Sequence, residues 1–281
     1  MEYTMLNNGL KMPVIGLGTF LMSLDQAQKA VEDALKCGYP LIDTANGYMN
    51  EKAVGRGIKN SNTPREDVFL VTKLWPTIYE ENDAVEKTLK RLGVDTVDLM
   101  FIHQPSGNFM AGYRQLEKAY KAGLIKSIGI SNFRGEKLKK LLAECEIKPQ
   151  VIQYECHPYF HAEEVMDILE PLDVKLMAWY PLGHGDKALI NEPVFTELAE
   201  KYGKSNAQII LRWHIQKGHI VIPGSTNPDH IKENIDLFDF SLTKEEMASI
   251  DVLNKQKRYY IPDESKEESY ASMQLDFDAQ K

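Results

Sequence analysis

The chain lacks the features that mark secreted, membrane-spanning or nucleic-acid-binding proteins. It has three cysteines, Cys37, Cys145 and Cys156, an odd number with no paired ligand spacing. That excludes a disulfide framework and predicts reduced thiols acting as packing residues. His157 and His161 lack metal-ligand spacing with cysteine or carboxylate, so no metal site is expected. No apolar run approaches the roughly 20 residues needed to cross a bilayer. The start, Met1-Glu2-Tyr3-Thr4, has neither the basic nor the apolar region of a signal peptide, which makes a cytoplasmic location the expectation. Excess positive charge is missing too. A formal net charge of −8 opposes a phosphate backbone or an anionic lipid surface, so neither nucleic acid nor membrane is expected as a partner. Linkers rich in Pro, Gly or Ser are absent, and the 281 residues read as one domain, 1–281, ending in a polar tail over 262–281 that is either mobile or folded over the barrel mouth.

What is present is a regular alternation of apolar strand-like runs and amphipathic helical patterns. After a hairpin turning at Asn7-Asn8-Gly9, the run Val14–Thr19 precedes a helix with Ala27, Ala30, Val31, Ala34 and Leu35 at helical spacing. Strand-like runs follow at 41–43, 68–73, 97–103, 127–132, 150–154, 174–180 and 219–223, separated by helical segments. Eight strands buried on both faces predict an α/β protein, a (β/α)8 TIM barrel with an N-terminal β-hairpin. A doubly wound sheet is the competing topology, but Gly16-Leu17-Gly18-Thr19-Phe20-Leu21 has leucine where a dinucleotide fingerprint needs its third glycine.

Polar groups stand at the carboxyl ends of these runs, where barrel enzymes do their chemistry. Asp43, Lys73 and His103 close the second, third and fourth strands; Ser131-Asn132, Gln153 and Trp179-Tyr180 lie near the ends of the next three. Tyr48 follows Asp43 by five residues. A phenol has an ordinary pKa of about 10, and a nearby ammonium lowers it, so Lys73 is expected to acidify Tyr48 while a buried Asp43 keeps Lys73 charged. His103 is placed to hydrogen-bond a substrate oxygen. Such a set protonates carbonyl groups but has no hydride source, so a redox reading requires a bound cofactor. A barrel aldolase using Lys73 as a Schiff-base nucleophile is one alternative; a nucleotide-sensing or scaffolding relative with little turnover is another.

The segments 38–51 (Gly-Tyr-Pro-Leu-Ile-Asp-Thr-Ala-Asn-Gly-Tyr-Met-Asn-Glu), 98–105 (Asp-Leu-Met-Phe-Ile-His-Gln-Pro) and 222–225 (Ile-Pro-Gly-Ser) resemble the three signature regions of the aldo-keto reductases. The likeness runs from Gly16 to about Leu253, and the short loop after Pro105 is similar to the bacterial branch that includes the diketogluconate reductases. The resemblance implies hydride transfer from NADP(H) to an aldehyde or ketone, with a small-molecule carbonyl substrate; separately, nothing in the sequence points to an obligate protein partner, so a monomer is expected. It makes Tyr48 the proton donor, Asp43 and Lys73 its supporting pair, and His103 the group that orients the carbonyl. Ser131, Asn132 and Gln153 would hold the cofactor carboxamide, Trp179 would stack on the nicotinamide, and Leu182 and Gly183 would line the pyrophosphate. Ser225, Thr226, Glu233 and Asn234 would grip the adenosine end, with Thr19, Asp43 and Pro223 in the same cofactor-binding set.

Three departures from the family pattern bear on specificity. Gly224 and His230 stand where a lysine and an arginine usually clamp the 2′-phosphate, which leaves Ser225, Thr226, Asn227 and a protonated His230 to cradle it and makes NAD(H) an alternative cofactor. Gln104 replaces a common tryptophan, which predicts a pocket more open to sugar-derived or small dicarbonyl substrates; Phe20, Trp75, His103 and Tyr180 complete the substrate set. Pro40 replaces an arginine, with only a structural effect expected.

Overall fold

The structure, a computed structural model, describes residues 1–261 and 263–280; Pro262 and Lys281, the first and last positions of the predicted tail, lie outside the described residues. The expected hairpin is formed by β1 (Tyr3–Met5) and β2 (Lys11–Pro13), paired antiparallel with Thr4 opposite Met12. Gly9 turns it with φ +84°, a conformation that costs a residue without Cβ little.

Eight parallel strands follow. They are β3 (Leu17–Gly18), β4 (Leu41–Asp43), β5 (Phe69–Leu74), β6 (Leu99–Ile102), β7 (Ile128–Ser131), β8 (Val151–Glu155), β9 (Lys175–Trp179) and β10 (Ile220–Val221). Each pairs with the next in chain order. The ring closes through a parallel bridge between Ile15 and Val221, where the Gly16 N–H donates to the Val221 carbonyl at 2.9 Å. The two closing strands are shorter than the runs 14–19 and 219–223 suggest. Glycine weakens a strand: Gly16 precedes β3 and Gly18 ends it, and Gly218 and Gly224 lie on either side of β10.

Between the strands run α1 (Leu24–Lys36), α2 (Glu51–Asn60), α3 (Ala84–Leu92), α4 (Phe109–Lys121), α5 (Gly135–Glu144) and α6 (Glu163–Leu169). Three helices, α7 (Lys187–Ile190), α8 (Pro193–Tyr202) and α9 (Asn206–Gln216), separate β9 from β10; α10 (Pro228–Ile235), α11 (Lys244–Asp251) and α12 (Glu264–Tyr270) complete the chain. Helix starts are encoded locally. Ser23 with Gln26, Ser205 with Gln208 and Thr243 with Glu246 form reciprocal capping boxes at α1, α9 and α11.

The barrel interior is a separate apolar cluster that includes Leu41, Phe69, Val71, Leu99, Phe101, Val151, Met177 and Ile220, plugged at the amino end by Leu6 and Met12 of the hairpin. Side chains alternate faces along a strand, so a residue two positions beyond an inward one also points inward. This parity carries Leu41 to Asp43, Val71 to Lys73, Phe101 to His103, Val151 to Gln153 and Met177 to Trp179. The same alternation that fills the barrel therefore delivers polar groups to its carboxyl end. Of the three free thiols, Cys145 and Cys156 are buried but Cys37 is exposed, which corrects its reading as a packing residue: it caps α1 at the surface.

Candidate active site

Four segments build the site. Asp43 ends β4 and Lys73 lies near the end of β5; the Lys73 ammonium meets Asp43 Oδ2 at 2.7 Å and Oδ1 at 2.9 Å, both side chains being essentially inaccessible. The same Nζ donates to the Thr44 carbonyl at 2.8 Å and to the Tyr48 hydroxyl at 3.2 Å. Gln153 Nε2 donates to Asp43 Oδ1 at 3.0 Å, binding the sixth barrel strand to the second. An ion pair this deep persists because its remaining hydrogen-bonding capacity is filled.

Tyr48 sits on a single 3-10 turn, Asn46–Tyr48, held from both sides. Thr44 donates to Asn50 Oδ1 at 2.9 Å, and Asn50 Nδ2 donates back to the Thr19 carbonyl at 2.9 Å. Asn46 donates to buried Glu51, which also accepts from Thr72 at 2.7 Å and pairs with Arg91 at 2.9 Å. The Trp75 N–H donates to Asn46 Oδ1 at 3.3 Å, tying the loops after β4 and β5 together. His103, following β6, packs edge-on against Tyr48 and Trp75 with ring centroids 5.6 and 5.1 Å away.

The electrostatics differ in one respect from expectation. Burial pushes the Tyr48 phenol well above 10, and the Asp43 charge and Tyr180 add to the rise. The shift of the buried phenol, led by desolvation, thus runs opposite to the acidification expected from Lys73. Tyr48 is fully protonated at neutral pH, the state a proton donor must occupy. Burial likewise raises Asp43 against the opposing effect of Lys73, and lowers Lys73 against that of Asp43.

His103 is held well below 6.5 by burial and then by the Lys73 charge, so it is neutral near pH 7. Because its folded pKa is depressed, its neutral form persists as pH falls below 6.5, while the unfolded chain takes up the proton. Its stability contribution is thus complete above 6.5 and declines as pH falls toward its lowered folded value. We expect kcat/KM for reduction to be flat between about pH 6 and 8. A titrating limb centred near 6.5 that disappears in His103→Asn would show that the imidazole ionises in the working enzyme.

These groups open onto a cavity of about 840 Å³, at the upper end of the size of small-molecule and cofactor sites. Tyr48, Asp43 and His103 line it; Lys73 does not. That position, with the ammonium engaged by Asp43, speaks against a Schiff-base lysine, which needs a free amine facing substrate. The substrate set Phe20, Trp75, His103, Gln104 and Tyr180 lies entirely on the wall. So do Ser131, Asn132, Gln153, Trp179, Leu182, Pro223, Gly224, Ser225, Thr226, Asn227 and His230.

Four expected cofactor residues are not on that wall. The Thr19 hydroxyl donates to the Asp43 backbone carbonyl at 3.0 Å and is fully buried. Gly183 is also buried, and a Cβ there would lie 2.3 Å from Leu189 Cδ2. The Glu233 carboxylate accepts from the Ser205 hydroxyl, and Asn234 is buried in α10. Thr19 and Glu233 thus tie neighbouring elements of the fold together.

Backbone strain gathers at the mouth. Leu21, Asn132, Tyr180 and His184 all line the cavity with φ between +53° and +65°, a region that costs residues with a Cβ free energy. Asn132 is fixed there by side-chain bonds: Trp179 Nε1 donates to its Oδ1 at 3.1 Å, and its Nδ2 donates to Gln104 Oε1 at 3.2 Å. Tyr260 and Tyr270 also line the cavity and escape motif reading; Tyr270 packs on Trp75 at 5.3 Å, and its hydroxyl meets that of Tyr260 at 3.2 Å. Buried Glu155 brings the segment back by accepting from the Tyr259 N–H at 2.5 Å and pairing with Arg258 at 3.3 Å, and buried Glu267 anchors α12 through Arg134 at 2.7 Å. Tyr270 inside an otherwise polar tail, and the Tyr259-Tyr260 pair just before it, were the available signal.

The sequence model of the aldo/keto reductase family matches residues 14–255. The chain belongs to the aldo-keto reductase family. It is similar to the glyoxal reductase of Bacillus subtilis (strain 168), 45% identical over 258 residues that cover 90% of this chain and 93% of that protein. It is 37% identical to the methylglyoxal reductase DkgA of Escherichia coli (strain K12), over 90% of this chain and 94% of that one. Among solved structures, an aldo-keto reductase enzyme from a Medee basin deep-sea metagenome library aligns with a TM-score of 0.88 at 40% identity, covering 92% of this chain and 97% of the other. This aldo-keto reductase is therefore an oxidoreductase of a family that acts with a nicotinamide cofactor on small carbonyl compounds. Among the described residues, no helix is long and apolar enough to cross a membrane.

Proposed function

We propose that the protein reduces small aldehydes and ketones, dicarbonyls and sugar-derived carbonyls among them, to alcohols, with Tyr48 giving up the proton. The observation that carries this reading is the Lys73 ammonium, locked on Asp43 and 3.2 Å from a Tyr48 hydroxyl on the wall shared with neutral His103. The cavity and its lining suit a dinucleotide and a small substrate together, and the names of the glyoxal- and methylglyoxal-reducing relatives support the dicarbonyl class.

When bound, the nicotinamide cofactor supplies the hydride. Ser131, Asn132 and Gln153 would hold its carboxamide, Trp179 its ring, and the segment 223–227 its adenosine end. The remaining work belongs to the chain. Trp179, fixed by Asn132, keeps a flat surface in place, and positioning of that kind accelerates by restricting orientation. A neutral His103 donates a hydrogen bond to the carbonyl oxygen, polarising it. Tyr48 then passes its proton to that oxygen as negative charge accumulates there; an alkoxide is more basic than any phenolate, so the raised pKa does not prevent transfer. Lys73 stabilises the phenolate left behind. Asp43 keeps Lys73 aimed.

A panel of methylglyoxal, aldoses, keto acids and aromatic aldehydes, followed by loss of the reduced cofactor's near-ultraviolet absorbance, tests the reading. Turnover of no carbonyl with either cofactor would overturn it.

Cofactor choice follows from the missing clamp. Ser225, Thr226, Asn227 and His230 are exposed or half-exposed at one end of the cavity, and Gly224 adds no charge. The ratio of kcat/KM for NADPH over NADH is expected to stay below that of a Lys/Arg-clamped relative. His230→Arg should raise it about tenfold or more, the scale of one charge-assisted bond. A wild-type ratio already matching the clamped relative would refute this expectation.

A further inference from the structure

Behind the loop that lines the cavity lies a second cluster of chemically active side chains, formed by Cys156 at the end of β8, His214 on α9 and His219 just before β10. One ligand atom from each lies within 4.8 Å of the others, with no ion present. The two Nδ1 atoms of His214 and His219 face each other at 3.1 Å, and Cys156 Sγ is 3.9 Å from His219 Nδ1. Metal–nitrogen bonds of about 2.0–2.1 Å and metal–sulfur bonds of about 2.3 Å in a tetrahedron put nitrogens about 3.3 Å apart, and sulfur about 3.6 Å from nitrogen. The His214–His219 and Cys156–His219 separations are within a few tenths of an ångström of these values, whereas Cys156 Sγ and the His214 donor are held only to within 4.8 Å, so closing on an ion requires the thiol to turn toward His214.

The tautomers are also set for a cation. His214 Nε2 lies 3.2 Å from the Pro181 carbonyl, which can only accept, so this nitrogen bears the hydrogen and Nδ1 presents its lone pair. An imidazole oriented by a carbonyl on its far nitrogen is the usual arrangement behind a metal ligand. Burial keeps His214 and His219 uncharged near neutrality. Of the charged groups acting on the cluster, Asp251, Glu155 and Glu163 are negative and Lys217 is positive; His157 and His161 also face it. Asp251 pairs with Lys217 at 3.2 Å and Glu155 with Arg258 at 3.3 Å, so the surrounding charge is close to balanced, and burial holds the Cys156 thiol in its protonated form until an ion displaces the proton.

We infer that Cys156, His214 and His219 form a binding site for one borderline-soft divalent cation of the zinc class, with water as fourth ligand. Without metal, His219 Nδ1–H donates to His214 Nδ1. On binding, that hydrogen moves to His219 Nε2 and the Cys156 thiol releases its proton to solvent, so one proton leaves per ion and nothing is oxidised or reduced. Separation in sequence hid the site, since its members lie 58 and 5 residues apart. Pro181 and its neighbours Tyr180 and Leu182 line the cofactor cavity, so the oriented His214 ring connects the site to that wall.

Titration of the full chain with Co²⁺, in a Cys37→Ser background that removes the exposed thiol, tests the inference. The expected result is one equivalent bound, with visible ligand-field bands of a four-coordinate ion, a near-ultraviolet thiolate charge-transfer band, and displacement by Zn²⁺. Calorimetry in buffers of different ionisation enthalpy should report release of one proton. Cys156→Ser should abolish the charge-transfer band, and His219→Asn, at the partly exposed edge, should weaken binding more than about tenfold, a loss that even removal of a group behind a ligand produces. Absence of stoichiometric binding in the folded wild-type chain, or a thiolate band that survives Cys156→Ser, would overturn it.

Discussion

Tyr48→Phe is expected to lower kcat by about 10³-fold or more while leaving cofactor affinity nearly unchanged. A positioned general acid contributes about 10²–10⁴-fold, and deletion of the hydroxyl also removes the partner that Lys73 Nζ holds at 3.2 Å. The ring stays. Its edge contacts with His103 at 5.6 Å and Phe20 at 5.1 Å do not involve the oxygen, so the cavity wall keeps its shape. Fluorescence titration with reduced cofactor, alongside steady-state and single-turnover rates, separates binding from chemistry. A variant retaining more than about a tenth of wild-type kcat would remove Tyr48 from the role of proton donor.

Lys73→Met should be the more damaging change for the fold as well as for turnover. Methionine nearly fills the space but leaves the Asp43 carboxylate buried, with Gln153 as its remaining side-chain donor. Removing one partner of a buried ion pair costs about 3–5 kcal/mol, because the other charge is left uncompensated. Equilibrium urea unfolding reads this directly. Adding Asp43→Asn to the lysine variant should recover much of the lost stability by removing the stranded charge, without restoring activity. If the double variant were no more stable than the single one, the pair would not be the electrostatic unit described above. Sodium borohydride with a carbonyl substrate and no cofactor should trap no adduct on wild-type Lys73, given its fully enclosed side chain.

Much of the site was readable because strand geometry repeats every two residues. Once Leu41, Val71, Phe101, Val151 and Met177 are assigned to the barrel interior, Asp43, Lys73, His103, Gln153 and Trp179 follow two positions later. Tyr48 needed the family resemblance, since it lies on a loop turn and one tyrosine in thirteen has no periodicity to single it out. Long-range packing adds what a local motif does not show: Thr19 and Glu233, expected as cofactor contacts, each also have a hydrogen-bond partner within the fold. The direction of the Tyr48 shift was misread: proximity to an ammonium is visible in a motif, whereas the cost of desolvating the hydroxyl depends on what encloses it.

The alternation of apolar runs with amphipathic helical segments is a short-range signal, and it was sufficient to predict eight parallel strands, the covering helices and the end of the barrel that carries chemistry. Three features required the folded chain. Tyr260 and Tyr270 reach the cavity because Glu155 and Glu267 draw a polar tail across it; Cys156, His214 and His219 meet because β8, α9 and β10 converge; and the protonation states follow from burial. Each depends on contacts between residues distant in sequence. Local patterning sets which way a side chain points along its own element, but its neighbours across space, and the water it loses to them, are properties of the packed molecule.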